Sequence, residues 1–392
     1  MSVTPEPRSM PALLYFFAFC NLVIGSSAFV LGGILGPVSQ ALGVSLAATG
    51  QAMTAYALST AVLAPLIIMA TVRWSRHAGI ALALALFTLG CLISALADSL
   101  FWLIVGRVVM GAGAMFSAVA SATAVGLVAP ASRGRALSLT NVGQGISYAV
   151  GVPVGTWLGL EYGWRLPLWL ATGASLIVWV LAWRWVPRQL RDTPPTGTLR
   201  AAVGQWAVIR VWLRTLLLFV AIFAVFTYIG PVLVALDDLS PAGLAVVLAI
   251  FGVAGVAGTL AGGWANDRFG SIRVITYQLV VVGLMMVLLP FTQGHLVLTV
   301  LTLVVWGLHS FGSMVPQQSR LVMLAPSQAP MLMSLNSSML YIGSALGAVV
   351  GGLTMSHIGV GRLSWIGAPF VLLSLLTLLP DWSLERKANP KP

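Results

Sequence analysis

Twelve long apolar windows run through this chain, separated by short polar breaks. They fall at residues 12–36, 48–71, 79–97, 100–128, 136–160, 164–184, 213–236, 243–264, 273–291, 295–318, 330–355 and 361–380. A helix of about 20 apolar residues matches the hydrocarbon core of a bilayer. Inside lipid every backbone N–H and C=O needs a partner, which only helices and closed barrels supply. The windows lack the alternation of barrel strands. The expected fold is therefore all-α and polytopic, with twelve transmembrane helices, numbered here as spans 1–12. Composition agrees, at 59% hydrophobic and 7% charged residues, against about 25% charged in a soluble domain. So few ionic side chains cannot cover a water-facing protein of this length, which excludes most soluble enzymes and secreted disulfide scaffolds. The first apolar stretch is too long for a signal peptide and no Ala-x-Ala site follows it. Cys20 and Cys91 fall inside spans and suggest neither a disulfide nor a metal pair.

A net charge of +11 invites a polyanion partner, but its placement says otherwise. With the N-terminus inside, seventeen of the twenty Lys and Arg lie in segments on the cytoplasmic side. Arg165 and Arg362 lie outside, and Arg107 lies within span 4. The positive-inside rule then puts both termini in the cytoplasm. The partners expected are a small-molecule substrate, protons and membrane lipids, with no nucleic acid; anionic inner-leaflet lipid is attracted as a by-product.

The longest polar interruption, residues 185–212, contains Pro187 and the run Asp192-Thr193-Pro194-Pro195-Thr196-Gly197. It divides the chain into an N-terminal six-helix bundle (1–184), a cytoplasmic linker (185–212), and a C-terminal six-helix bundle with a short cytoplasmic tail (213–392). Residues 199–214 mix Arg200, Arg210 and Arg214 with Trp206, Ile209 and Trp212, as a helix lying on the leaflet does. The halves repeat. Gly151 and Gly155 match Gly347 and Gly351 at an offset of 196, as Ser138-Leu139 matches Ser334-Leu335, and the loops after spans 2 and 8 match at 195. Parallel repeats of this kind characterise alternating-access transporters.

Several motifs carry a family resemblance. Gly263-Trp264-Ala265-Asn266-Asp267-Arg268-Phe269-Gly270, between spans 8 and 9, resembles the loop signature of the major facilitator superfamily. Arg107 with Gly111 and Gly113 is similar to its Arg-x-x-x-Gly-x-Gly pattern, and Gly151-Val152-Pro153-Val154-Gly155 to the antiporter signature of the bacterial drug and sugar efflux branch. Trp306-Gly307 through Pro316-Gln317-Gln318, then Ala325-Pro326 and Leu335-Asn336, resembles the sugar and nucleoside exporters of that branch. The resemblance implies the major facilitator fold and a monomer in a bacterial inner membrane. It also implies proton antiport of a drug, sugar or nucleoside, through a cavity lined mainly by spans 1, 4, 7 and 10. There are two departures. Ile68 and Val72 stand where the loop after span 2 should carry Gly and Asp. Span 1 also lacks the acid of many proton-coupled exporters.

The candidate substrate-binding residues are the polar and aromatic side chains of the spans: Asn21, Tyr56, Asn141, Gln144, Tyr148, Phe223, Phe226, Tyr228, Trp306, His309, Gln317, Asn336 and Tyr341. Neutral hydrogen-bonding groups beside rings suit a neutral or weakly polar ligand. The coupling and gating candidates are Arg107, Asp267, Arg268, Gly151, Pro153, Gly155 and His309. Arg107 is either a hydrogen-bond hub or a link to substrate or ion, since an intramembrane charge is costly. Asp267 and Arg268 are either a solvated turn or a latch that holds the outward-facing state. The span 5 glycines either pack helices or also seal the seam between halves, and Pro153 bends the helix. His309, the only histidine in a span interior, is a packing residue, a ligand contact or a titrating group. Neither a cofactor nor a metal is expected, because no metal-ligand cluster, nucleophile set or carboxylate pair lies within the membrane. The same absence argues against an enzyme. Competing readings are a facilitator or proton-coupled uptake permease and, from another class, a membrane sensor that moves nothing.

Overall fold

The computed structural model describes residues 11–71, 73–129, 132–188, 205–325 and 328–382, less the side chains of 329 and 330. Arg8, Arg191, Arg200, Arg386, Lys387 and Lys391, the run 192–197, Pro326 and most of the expected linker lie outside these residues. Among the described residues the regular elements are all helical. Eleven helices are long and apolar enough to cross a membrane by length and composition. The remaining expected span, the fifth, is helix Arg133–Ile146, a π turn Ser147–Gly151 and helix Val152–Glu161. Pro153 explains the break. Its ring displaces the carbonyl four residues back, and a wider turn absorbs the mismatch.

Spans 1, 4, 7 and 10 are each interrupted within their length. Ala12–Gly33 gives way to Leu35–Leu42 at Ile34, and Leu100–Gly113 to Phe116–Gly126 at Ala114 and Met115. Trp206–Phe226 gives way to Ile229–Asp237 at Thr227 and Tyr228, and Leu296–Gly312 to Met314–Leu324 at Ser313. Broken helices are tolerated at membrane depth only where protein or a water-filled cavity satisfies the freed backbone. Span 7 also starts earlier than expected. It runs unbroken from Trp206, so Trp206–Arg214, expected in a helix lying on the leaflet, are instead its first turns; residues 199–204 of that expected helix lie outside the described residues.

The 195-residue repeat is visible in backbone geometry. The short helix of span 1 ends at Gly43 with φ 63°, and Ser45 then caps span 2 by accepting from the Ala48 amide at 3.1 Å. The short helix of span 7 ends at Asp238 with φ 48°, and Ser240 then caps span 8 by accepting from the Gly243 amide at 3.1 Å. Glycine takes the left-handed conformation without penalty and Asp is among the few residues that tolerate it. Within each half the glycines pack matching helices. Gly151 abuts Ser26 and Gly155 abuts Val30, joining span 5 to span 1. Gly347 and Gly351 abut the backbone of Val220 and Ala224, joining span 11 to span 7.

Candidate functional site

The halves meet along the ends of the spans that are poor in arginine. Tyr228, fully buried at the break in span 7, donates its hydroxyl to the Ala348 carbonyl of span 11 at 2.8 Å. Its ring fills a slot floored by Gly351 and Gly352 on its own half and by Gly50 of span 2 on the other. A Cβ on Gly32 would stand 3.0 Å from the Phe226 carbonyl, and one on Gly230 would collide with the Gly33 carbonyl. Nearer the middle, the Gly252 backbone lies against the Tyr148 carbonyl in the π turn of span 5. The halves thus approach most closely at Gly50, Gly230 and Gly252, whereas Gly151 and Gly155 face span 1 of their own half, and Pro153 is buried at the bend of span 5. At the arginine-rich ends, Leu66 and Met69 of span 2 and Asn141 and Val142 of span 5 are exposed. The close approaches between the halves lie at the arginine-poor end, which is the closed one.

Below the closed end a cluster of rings crosses the seam. Phe29 of span 1 stacks on Tyr148 at 5.0 Å and meets Tyr56 at 6.3 Å. It reaches Phe223 and Phe226 of the other half at 6.0 and 6.3 Å. Tyr148 contacts Phe226 at 5.9 Å and Phe311 at 5.1 Å. Phe251 of span 8 stacks on Phe226 at 5.9 Å and tilts against Trp306 at 5.3 Å. The indole N–H of Trp306 is buried and has no acceptor among the described residues. Tyr56, Tyr148, Phe223, Phe226 and Trp306 are therefore brought together. Phe29, Phe251 and Phe311 join them without having been expected, because a phenylalanine on an apolar helix carries no mark of which way it faces.

The polar candidates sit apart, in two knots within single halves. Asn21 donates to the Thr140 carbonyl at 2.9 Å and accepts from Ser117 at 2.6 Å. Gln144 lies beside Gly25 of span 1, and exposed Asn141 donates to its own helix at Leu137. In the second half Thr215 Oγ1 lies 2.8 Å from Gln317 Oε1 and 2.7 Å from Asn336 Oδ1. One hydroxyl has one proton, so one amide must turn its NH2 toward Thr215; Gln317, whose Nε2 is otherwise unpartnered, is the natural choice. Tyr341 is half-buried against the core.

Arg107 is fully buried. Its Nη1 donates to the Ser27 and Ala28 carbonyls of span 1 at 3.2 and 3.0 Å, while Nε and Nη2 have no partner among the described residues. His309 stands away from the rings. Its Nδ1 is 2.8 Å from the Val305 carbonyl, and its ring meets Tyr277 of span 9, an exposed residue, at 5.4 Å. Asp267 and Arg268 are exposed. Asp267 accepts only from Asn266, at 3.3 Å, and forms no ion pair among the described residues, while Arg268 lies over Trp264 and Phe269.

Comparison with known proteins follows the same lines. Residues 17–329 match the family model described as Major Facilitator Superfamily. The inner membrane transport protein YdhP of Escherichia coli K12 is 30% identical over 360 residues, covering 90% of this chain and 91% of its own. A chloramphenicol resistance protein of Streptomyces lividans is 29% identical over 390 residues, covering 97% and 99%. The solved structure of the nucleoside transporter NupG superposes with a TM-score of 0.74 over 94% of this chain and 98% of that one. At 13% identity that likeness speaks to the fold alone.

Proposed function

This chain belongs to the major facilitator superfamily of membrane transporters, and from that premise we propose that it exports a small, neutral or weakly polar solute from the cytoplasm by alternating access, driven by proton antiport. The arginine-rich ends are the cytoplasmic ones in this reading, and Tyr228 then seals the outer end. The observation that carries it is the ring cluster astride the seam. A ligand seated among rings from both halves binds each half, and its release is tied to their rearrangement. The rings supply area and shape; the free indole N–H of Trp306 supplies one donor. No carboxylate belongs to the cluster, so a multiply charged cation has nothing to pair with. The chloramphenicol resistance relative supports efflux.

The same absence of a carboxylate favours one second reading, a facilitator or uptake permease that uses no proton gradient. Efflux from cells overproducing the protein, measured with and without a proton uncoupler, separates the two. Loss of efflux on uncoupling supports antiport. Persistent movement, or accumulation, supports the second reading.

A further inference from the structure

We propose that Arg210, Arg214 and Arg320 form a binding site for a phosphate group at the arginine-rich end of the second half. Arg210 and Arg214 sit one turn apart at the start of span 7 and share a single carboxylate. Arg210 Nη2 donates to Asp381 Oδ1 at 2.8 Å, and Arg214 Nη2 to Asp381 Oδ2 at 2.9 Å. Arg214 also donates to Thr377, from Nε to Oγ1 at 3.0 Å and from Nη2 to the carbonyl at 3.2 Å. Arg320, near the end of span 10, lies within electrostatic range of Arg214. The neighbouring Leu321 packs with Val208, Val211 and Trp212 of the same turns of span 7.

Charge and hydrogen bonding both leave a remainder here. Among the described residues the one carboxylate bonded here, Asp381, is shared by Arg210 and Arg214, and Arg320 adds a further positive charge, so positive charge is in excess. Arg214 is fully buried and Asp381 is 1% exposed, where uncompensated charge is costly. Each arginine also keeps a buried donor without an acceptor among the described residues: Arg214 Nη1, Arg210 Nε and Arg320 Nε. A phosphate offers negative charge and several acceptor oxygens, and the planar guanidinium fork matches it. Arg210 keeps 12% of its side chain exposed, which gives the cluster an edge. Trp206, one turn before it, is exposed as an interfacial tryptophan is. These features place the site at headgroup depth, where the phosphate of an anionic phospholipid is the abundant source; dissolved phosphate is the other source of the same chemistry.

The test uses the purified full-length protein in detergent, reading its thermal midpoint and its lipid retention by native mass spectrometry. The probes are phosphatidylglycerol, a phosphate-free diacylglycerol, and inorganic phosphate alone. Phosphatidylglycerol is expected to raise the midpoint and to be retained, and diacylglycerol to do neither. Arg320→Gln and Arg210→Gln should each weaken the phosphatidylglycerol effect about tenfold, the size of one charge-assisted hydrogen bond. Arg133→Gln, on another arginine-rich loop, should leave it unchanged. Arg320→Lys, which keeps the charge and loses the fork, should fall between, and it serves if a glutamine variant does not fold. Inorganic phosphate raising the midpoint by itself supports the site with a dissolved source. Equal phosphatidylglycerol binding by wild type, Arg320→Gln and Arg210→Gln would overturn the proposal.

Discussion

Tyr228 and Gly50 belong to opposite halves, and the ring of one rests directly on the backbone of the other. A Cβ on Gly50 would stand 2.6 Å from two carbons of the Tyr228 ring, closer than packed atoms come. Gly50→Ala should therefore strain this closed end without touching a conformation in which the halves part there. Overpacking of this kind costs about 1–3 kcal/mol, enough to move a two-state equilibrium roughly 5- to 150-fold. Labelling of a cysteine introduced near Gly50 should rise in Gly50→Ala with an impermeant reagent. Unchanged labelling would mean that Tyr228 does not seal this end.

Trp306 offers the ring cluster a buried donor that has no acceptor among the described residues. Trp306→Phe keeps an aromatic surface and removes the N–H, so transport of a ligand with a carbonyl or hydroxyl acceptor should lose affinity by about 2- to 10-fold, the worth of one neutral hydrogen bond. Phe226→Leu removes a ring that touches Phe29, Tyr148, Phe223 and Phe251 and should weaken every transported ligand alike. Concentration dependence of efflux in the two variants measures both. Equal effects of Trp306→Phe on ligands with and without an acceptor would remove the donor role.

His309 lies against Tyr277 on the side of span 10 that faces span 9, away from the rings that cross the seam. His309→Gln should leave the pH profile of transport unchanged. A flattened profile would make His309 the proton carrier despite its position.

Asp267 forms no ion pair here among the described residues. Asp267→Asn should change the stability of this state little, within about 0.5 kcal/mol for an exposed site. It should also lower the outward-facing population if the acid latches that state. Distance measurements between spin labels on the two halves report the population; an unaltered distribution leaves Asp267 as a solvated turn.

The apolar windows made the spans legible, because lipid punishes a misplaced charge more strictly than water punishes a misplaced leucine. The repeat was legible in Gly151 and Gly155 against Gly347 and Gly351, since close helix packing permits few residues. The fifth span was legible as a window, and Pro153 as its bend, but not the π turn that precedes it. Rings facing the seam were half legible: Tyr148 and Trp306 carry polar atoms that draw attention, whereas Phe29, Phe251 and Phe311 do not. Asp381 was not legible at all. It follows the last apolar window, and its meaning depends on Arg210 and Arg214, some 170 residues away in sequence.

Proton-driven export is tested most directly by uptake of a neutral antibiotic, dye, pentose or nucleoside into inside-out vesicles holding the protein, with an imposed pH gradient. Acidifying the lumen should drive concentrative accumulation of the substrate, collapse of the gradient should abolish it, and Tyr148→Ala should reduce it in parallel. Equilibration to equal concentrations with or without the gradient would contradict antiport and leave a facilitator.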